Sequence, residues 1–283
     1  MSILVTGAAG QLGSELVRRL GEAANACDSA QLDITNTGQV MEVVGSARPQ
    51  AVINCAAYTK VDLAEQEKDA CYAVNATGVA NLAEACQRVN STLVQLSTDY
   101  VFGADVERTA PYRETDDTHA QSVYAQSKLQ AEDNARGCPR HFVVRTCGLY
   151  GMSATGNNFV ETMLRLGNPA KTLRIVDDQV CTPSYTAHVA AAILRLVKTE
   201  AFGTYHIVNF GATTWHDFAR EIFEQAGLDV QLEAITTEEF GAAAARPRYS
   251  VLDTSKYEQA TGHTLANWQT GLREYLSAKT LIG

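Results

Sequence analysis

The chain has 283 residues, of which 46% are hydrophobic and 19% charged, and this composition is typical of a globular protein. The formal net charge of -9 argues against nucleic acid and against an anionic membrane as partners. The apolar start at residues 3–5 is too short for a signal peptide, and no apolar run reaches membrane-spanning length. The seven cysteines form no C-x-x-C pair, so we expect reduced thiols and a cytoplasmic protein.

The first half of the chain alternates short apolar runs with amphipathic segments. The apolar runs predict strands at residues 2–6, 51–54, 93–96 and 141–144. Apolar residues at helical spacing predict a helix from about Leu12, and further helices at residues 75–89 and 123–136. Strands that alternate with helices form βαβ units around a parallel sheet. We therefore predict an α/β fold with a Rossmann-type doubly wound parallel sheet.

The pattern becomes less regular after Tyr150. Residues 151–158 are polar and predict a loop. Helices are predicted at residues 159–166, 187–197, 214–226 and 268–279, and strands near residues 173–176 and 205–208. We predict that residues 151–283 form mainly a smaller α/β lobe. This lobe is expected to be interleaved with the first domain, residues 1–150, to which a segment near residues 176–208 returns.

A glycine-rich turn follows the first predicted strand and opens the first helix. Gly7, Gly10 and Gly13 allow a tight turn and a close backbone approach to a pyrophosphate at the helix N-terminus. An ordinary glycine turn is the alternative, and the flanking strand and helix favour a dinucleotide site. Residues 1–150 are therefore predicted to bind NADH or NADPH, and the C-terminal lobe to bind mainly the substrate.

A further strand is predicted between the first helix and residues 51–54, and Asp28 stands at its end, about 20 residues past this turn, where an acid can bind the adenosine ribose. A solvated loop carboxylate is the alternative. Ser29 follows it where an NADP-binding protein often has a cation, which favours NADH. Asp33 can serve as a turn or capping residue, or it can contact adenine.

Tyr124 and Lys128 are four residues apart on a predicted helix, so their side chains share one face. A nearby ammonium favours the tyrosinate, so we expect a lowered pKa for Tyr124 and a phenol suited to proton transfer. Tyr275 and Lys279 repeat the spacing by chance. No strand end rich in hydroxyls precedes them, and they are assigned to core packing and to a solvated ammonium.

Hydroxyl side chains follow the strand predicted at residues 93–96. Ser97 and Thr98 stand at its carboxyl end, where open α/β sheets bind their ligands. Thr98 can donate a hydrogen bond to a substrate oxygen beside Tyr124. A turn or capping hydroxyl is the alternative for Thr98.

Together these features resemble the extended short-chain dehydrogenase/reductase superfamily and, within it, the dTDP-4-dehydrorhamnose reductase family. The resemblance covers nearly the whole chain, with its most specific segments at residues 4–13, 32–35, 54–62, 97–102, 124–128, 156–159, 177–179, 214–216 and 246–247. It implies reduction of the C4 ketone of dTDP-4-dehydro-L-rhamnose by NADH or NADPH, giving dTDP-L-rhamnose for surface polysaccharide. Tyr124 would donate the proton, Lys128 would tune Tyr124 and hold the ribose, and Thr98 would orient the ketone.

The resemblance also implies a set of binding residues. On the cofactor side it adds to the glycines and Asp28 the residues Gln11, Leu12, Asp33, Ile34, Ala56, Ala57, Tyr58, Asn75 and Ser97, beside Tyr124 and Lys128. On the substrate side it implies Thr59, Val61, Thr98, Tyr100, Asn158 and Arg246. Arg246 and Arg248 flank Pro247, and a guanidinium fork suits the oxygens of a diphosphate. A surface cation is the alternative, and more so for Arg248.

The chain departs from the family at Gly148, near which the family usually has a tryptophan that lines the substrate pocket. Asp99-Tyr100 stands where the related 4,6-dehydratases typically have Asp-Glu, so simple reduction fits better than elimination of water. The alternatives are a reductase or epimerase of another nucleotide sugar, and a non-catalytic regulatory subunit that binds NAD(P). Retention of Thr98, Tyr124 and Lys128 favours an enzyme.

Some members of the family form a dimer linked by magnesium. Glu15 matches one acid of that site, and no match is found for the others. No metal ligand is therefore assigned, which leaves open a role for Mg2+ and the choice between a monomer and a homodimer.

Overall fold

The centre of the computed structural model is a six-stranded parallel sheet in the order β10-β5-β4-β3-β1-β2. The structure describes residues 2–152, 158–167 and 172–281. Its strands are β1 (Ile3–Thr6), β2 (Ala24–Cys27), β3 (Ala51–Asn54), β4 (Thr92–Thr98), β5 (His141–Thr146), β6 (Leu149–Tyr150), β7 (Leu173–Val176), β8 (Val180–Cys181), β9 (Ser184–Tyr185), β10 (Gly203–His206), β11 (Thr213–Thr214) and β12 (Leu232–Ile235). The predicted parallel sheet is confirmed.

Helices cover both faces of this sheet and build the second lobe. They are α1 (Gln11–Leu20), α2 (Thr37–Ala47), α3 (Val61–Ala64), α4 (Lys68–Tyr72), α5 (Gly78–Val89), α6 (Val123–Arg136), α7 (Phe159–Leu166), α8 (Thr186–Leu196), α9 (Trp215–Ala226), α10 (Thr237–Phe240), α11 (Ser255–Thr261) and α12 (Trp268–Thr280). Among the described residues, no helix has both the length and the apolar character that a membrane crossing needs.

The alternation of side chains along the strands explains the layers. In β1, Ile3 and Val5 pack on one face against α1 and α8, through Leu16 and Ile193. Leu4 points to the other face, into the cluster of α2, α5 and α6. Both faces are apolar because each is covered by helices, as is usual for a parallel sheet.

The second lobe has its own apolar core. Helices α7, α9 and α12 pack through Val160, Phe218, Ile222 and Leu272. Strands β7 and β12 pair in parallel beside them. The chain between the two halves returns to the first domain, since α8 packs against α1 and β10 pairs with β5. The division of the chain near residue 150 remains a prediction.

Most predicted elements agree with the structure to within two or three residues. One strand predicted at residues 205–208 lies instead at Gly203–His206. Its register pairs Gly203 with Phe142 and His206 with Arg145, and Ile207 and Val208 are buried beyond its end. The helix predicted at residues 75–89 is a π-helical turn at Ala73–Thr77 followed by α5. Residues 153–157 of the predicted loop lie outside the described residues.

Candidate active site

The turn between β1 and α1 has room only for glycine at two positions. Gly7 has a φ of +63°, and a Cβ there would lie 2.5 Å from the backbone nitrogen of Ala56. A Cβ on Gly13 would lie 2.2 Å from the carbonyl oxygen of Gly7. Gly10 precedes the first turn of α1 and carries no side chain to cap it. The resulting cradle fits a pyrophosphate, whose charge a helix N-terminus favours.

A cavity of about 990 Å³ opens at this turn and follows the carboxyl ends of the strands. This is the edge at which open α/β sheets bind ligands, and the volume suits a dinucleotide and a second ligand. Asp28 and Asp33 lie at one part of the wall, and Trp215 and Pro247 belong to segments that come from much later in the chain. Both halves of the protein therefore contribute to one site.

Most of the predicted site residues line this cavity. They are Gly7, Gly10, Gln11, Leu12, Gly13, Asp28, Asp33, Ile34, Ala56, Ala57, Tyr58, Thr59, Val61, Ser97, Thr98, Tyr100, Tyr124 and Lys128. Asn75, Asn158 and Arg246 are not among the residues that line it. The roles assigned to individual residues remain predictions.

Helix α6 carries the Tyr124–Lys128 pair, and polar contacts fix where it begins. The Ser122 hydroxyl accepts a hydrogen bond from the Ala125 nitrogen at 3.2 Å, which caps the helix. The Glu65 carboxylate, which comes from the loop after α3, accepts another from the Val123 nitrogen at 2.8 Å. The Lys128 ammonium is buried and donates to the carbonyl oxygen of Leu96 at 2.6 Å.

The expectation of a lowered pKa for Tyr124 is wrong for this structure. Burial raises the pKa of the phenol, the charge of Asp99 adds to the effect, and the Thr98 hydroxyl opposes it. Burial also lowers the pKa of Lys128 from 10.5 to about 8. Removal from water thus outweighs the attraction that the sequence suggested. Tyr124 is therefore a protonated phenol at neutral pH, which is the form that donates a proton.

Thr98 caps a short turn and also faces the cavity. Its hydroxyl accepts a hydrogen bond from the Tyr100 nitrogen and donates to a carboxylate oxygen of Asp99, both at 3.2 Å. The capping role weighed as an alternative is thus present, and it leaves the hydroxyl beside Tyr124. Asp99 is buried and accepts a second hydrogen bond from Ser250 at 2.6 Å. Burial raises the pKa of Asp99.

Sequence reasoning assigned no site role to several residues that line the cavity. Phe159 and Trp215 are the largest of these, and their ring centroids are 4.8 Å apart. A Cβ on Gly148 would lie 3.3 Å from the outer edge of the Trp215 ring. The Trp215 ring therefore lies directly beside Gly148 at the cavity wall. Both aromatic residues stand in segments that carry the family resemblance, which was the available signal, whereas nothing local marks Ser250.

The three predicted site residues that do not line the cavity are Asn75, Asn158 and Arg246, and each makes polar contacts with other residues. Asn75 is buried, accepts from the Tyr58 nitrogen at 2.8 Å and donates to the Ser127 hydroxyl at 2.9 Å. Arg246 holds Asp62 through two hydrogen bonds of 2.7 and 3.0 Å. This ion pair lowers the pKa of Asp62. Asn158 caps helix α7.

The surroundings of Glu15 do not fit a metal ion. Its carboxylate accepts hydrogen bonds from Arg18 at 2.7 and 2.8 Å and from Arg19 at 2.6 Å. Two guanidinium groups therefore occupy the oxygens that a cation would need. Among the described residues, Asp177, His216 and Asp217 bring possible ligand atoms close together, and such exposed acidic groups are common without a metal.

Comparison with known proteins identifies the family. The family model described as "RmlD substrate binding domain" matches residues 1–281. The spore coat polysaccharide biosynthesis protein SpsK of Bacillus subtilis is 38% identical, with 98% of each chain covered. The dTDP-4-dehydrorhamnose reductase of Streptomyces griseus is 41% identical, over 97% of this chain and 93% of the relative.

A solved structure agrees over the same length. The dTDP-4-dehydrorhamnose reductase of Bacillus anthracis, in complex with NADP, has a TM-score of 0.94 at 40% identity and covers 98% of this chain and 100% of its own. The resemblance predicted from the sequence is confirmed, and the chain belongs to the dTDP-4-dehydrorhamnose reductase family.

Proposed function

We propose that this protein reduces the C4 ketone of dTDP-4-dehydro-L-rhamnose to the hydroxyl of dTDP-L-rhamnose, with NADH or NADPH as the reductant. The observation that carries the proposal is the position of Thr98, Tyr124 and Lys128 at the same cavity as the glycine-rich turn. A proton donor and a nucleotide cradle on one cavity wall are what a nicotinamide-dependent reduction of a ketone requires.

The cradle supports binding of a nicotinamide dinucleotide. The glycine-rich turn would hold the pyrophosphate, and Asp28 would hold the adenosine ribose. One carboxylate oxygen of Asp28 accepts hydrogen bonds from the nitrogens of Ala30 and Gln31, at 2.9 and 3.1 Å, which fixes its orientation. The cofactor supplies the hydride that is added to the ketone carbon.

The protein's own residues supply the proton and the alignment. As the ketone carbon gains a hydride, its oxygen becomes an alkoxide and needs one proton to become a hydroxyl. Tyr124 donates that proton and is left as a phenolate, which the Lys128 ammonium stabilises. The Thr98 hydroxyl turns from Asp99 to the same oxygen and orients it. Burial supports the role of Tyr124, because it raises the pKa of the phenol and keeps it protonated before the reaction.

The rest of the cavity would take the nucleotide sugar. Thr59, Val61 and Tyr100 line it from the first domain, and Phe159 and Trp215 line it from the later part of the chain. We assign residues 1–150, with the return segment near residues 176–208, to cofactor binding. Residues 151–283 are assigned mainly to the substrate.

The test is oxidation of NADH or NADPH by the purified protein with dTDP-4-dehydrorhamnose made in situ, beside other nucleotide-linked 4-keto sugars. Tyr124→Phe keeps the ring and removes the donor, so kcat should fall by about 10²–10⁴-fold. Tyr275→Phe is the matched control. Its hydroxyl donates to Glu161, away from the cavity lining, and this variant should lose stability while keeping kcat.

Two results would contradict the proposal. One is the absence of turnover with every 4-keto sugar by a folded wild-type protein. The other is a Tyr124→Phe variant that keeps more than about half of the wild-type rate, since general acid catalysis contributes about 10²–10⁴-fold. The second result would also restore the regulatory-subunit alternative.

A further inference from the structure

A third side chain of helix α6 lies in line with the catalytic pair. Tyr124, Lys128 and Glu132 are spaced by four residues, so they form one row along the helix. The side chain of Glu132 is 0% exposed. A carboxylate removed from water is costly unless other groups compensate its charge. The contacts that compensate Glu132 therefore indicate what it does.

The Glu132 carboxylate receives hydrogen bonds from three side chains. Arg145 in β5, itself 2% exposed, donates to both oxygens, at 2.9 and 2.7 Å. The Ser97 hydroxyl in β4 donates at 2.6 Å. Arg136, one turn further along α6, donates at 3.0 Å from the solvent side. The carboxylate is thus fixed between the catalytic helix and the neighbouring strands β4 and β5.

The network continues beyond Arg145 to the edge of the sheet. Burial and the charge of Arg145 lower the pKa of His206 to about 3, so its ring is neutral. A guanidinium can only donate and a carbonyl can only accept. His206 therefore accepts from Arg145 through Nε2, at 3.5 Å, and donates through Nδ1 to the Asp253 carbonyl, at 3.1 Å. Strands β4, β5 and β10 all contribute to this network.

Two groups of the cavity wall interact with Glu132. Ser97 lines the cavity and donates its hydroxyl proton to Glu132. Lys128 donates to the carbonyl of Leu96, the neighbour of Ser97. The negative charge of Glu132 raises the pKa of Lys128 and so opposes the effect of burial. The thiols of Cys55 and Cys71 also raise the pKa of Lys128, and the phenol of Tyr124 shares its helix face one turn away.

We infer that Glu132 is a positioning residue of the reaction, which keeps Lys128 in its ammonium form and fixes the Ser97 hydroxyl at the cavity wall. It does not touch the reacting atoms. This inference deepens the proposed function and rests on it for the role of Lys128, but the charge of Lys128 can be measured without substrate or cofactor.

The experiment follows the titration of the Lys128 amine by NMR in the full chain labelled with ¹⁵N-lysine. The chain has seven lysines, and Lys128→Met assigns the signal. Glu132→Gln removes the buried charge and should lower the apparent pKa of Lys128 by roughly 1 unit or more. Asp133→Asn is the matched control. It makes the same change in charge one residue away, on a side chain that is 61% exposed, and should leave the titration in place.

The same variants are then compared in kcat against pH. Glu132→Gln should move the alkaline limb of the profile to lower pH by about the shift seen for Lys128. Glu132→Asp, which keeps the charge, should restore much of the wild-type profile. If Glu132→Gln and Asp133→Asn titrate like the wild type, the inference is wrong, even where the sugar is reduced. If the sugar is not reduced, the proposed function is wrong, and the NMR titration still tests whether Glu132 keeps Lys128 charged.

Glu132→Gln leaves Arg145 as a buried cation with one partner fewer, so unfolding is a foreseeable outcome for this variant. Glu132→Gln combined with Arg145→Met removes both charges and avoids that penalty. The double variant should also titrate Lys128 at lower pH than the wild type. An unchanged titration in a folded double variant, judged by circular dichroism, would overturn the inference.

Discussion

The side-chain amide of Asn158 donates a hydrogen bond to the side-chain oxygen of Gln11 at 3.0 Å. Asn158 also accepts from the Glu161 nitrogen at 2.9 Å and so caps helix α7. One side chain therefore joins the beginning of α7 to the beginning of α1, where Gln11 lines the cavity. This geometry predicts that Asn158 affects the cofactor cradle, beside the substrate role predicted from the family.

Asn158→Ala should weaken both the fold and cofactor binding. Loss of the cap should lower the free energy of unfolding by about 0.5–2 kcal/mol. Loss of the contact with Gln11 should raise KM for the cofactor roughly fivefold, the value of about one hydrogen bond. Asn267→Ala is the control, because Asn267 caps α12 in the same way at an exposed position. Steady-state kinetics in which both variants keep the wild-type KM would show that the Gln11 contact has no such effect.

Two variants can separate the predicted contact of Arg246 with the substrate diphosphate from its structural ion pair with Asp62. If its ion pair with Asp62 were its whole role, Asp62→Ala and Arg246→Ala would be equally harmful. We expect instead that Arg246→Ala raises the substrate KM by about 10–100-fold, and Asp62→Ala by much less, because the second variant keeps the guanidinium. Arg248→Ala, at a side chain that is 61% exposed, should change little. Equal KM values for the first two variants would show that Arg246 makes no contact of its own with the diphosphate.

Asp28 is expected to set the preference between the two cofactors. A 2′-phosphate would meet its negative charge, so NADH should be used at least as well as NADPH. Asp28→Asn should raise the ratio of kcat/KM for NADPH to that for NADH by about tenfold, or 1.4 kcal/mol. Glu22→Gln makes the same change in charge on an exposed turn and should not alter the ratio. A wild-type preference for NADPH above about 100-fold would contradict this prediction.

Local pattern was enough to predict the sheet and the catalytic helix. Residues such as Ile3, Leu4 and Val5 are buried on both faces of β1, so an apolar run marks the strand directly. The predicted bounds of α6, residues 123–136, agree with the structure. The glycine turn was equally visible from its spacing, and the contact of Gly13 with Gly7 lies within the turn, whereas the contact of Gly7 with Ala56 was not visible.

Contacts between distant segments were not visible in the same way. Glu132 lies among charged residues of a helix, a pattern typical of a solvated surface. Its burial follows from contacts with Arg145 and Ser97, which lie in other segments of the chain. The direction of the Tyr124 pKa shift was also hidden, because it depends on burial by segments far along the chain. Pairwise spacing predicts which groups meet, whereas their removal from water is a property of the whole fold.

The backbone conformation at position 148 should require a glycine. Its φ is +51°, and a Cβ there would lie 3.2 Å from the Cα of Pro183. Gly148→Ala should therefore lower the free energy of unfolding by about 1–2 kcal/mol in urea titrations. Gly45→Ala is the control, because Gly45 is an exposed residue of α2 with nothing near its Cβ position. It should raise stability by about 0.5–1 kcal/mol. A Gly148→Ala variant as stable as Gly45→Ala would show that the left-handed conformation carries no strain.

Lys128→Met should separate activity from stability. The pKa of Lys128 is about 8, below the 10.5 of an exposed lysine, because burial disfavours the ammonium. Below about pH 8 the folded protein therefore carries a buried charge that costs stability. This cost disappears as the pH rises towards 10.5, the pKa of the lysine in the unfolded chain. Methionine removes the cost, so the variant should be more stable at pH 7 by about 1–3 kcal/mol, less the lost hydrogen bond to Leu96.

The same variant should lose both turnover and cofactor affinity, because the ammonium serves the phenol and the ribose together. In the wild type, kcat should fall as the pH rises through about 8, where the ammonium is lost. Urea unfolding at pH 7 and pH 9.5 should show the stability advantage of Lys128→Met shrinking at the higher pH. A variant that is less stable than the wild type at pH 7 would mean that Lys128 is held as a favourable ion pair, and that burial is not the dominant influence on its charge.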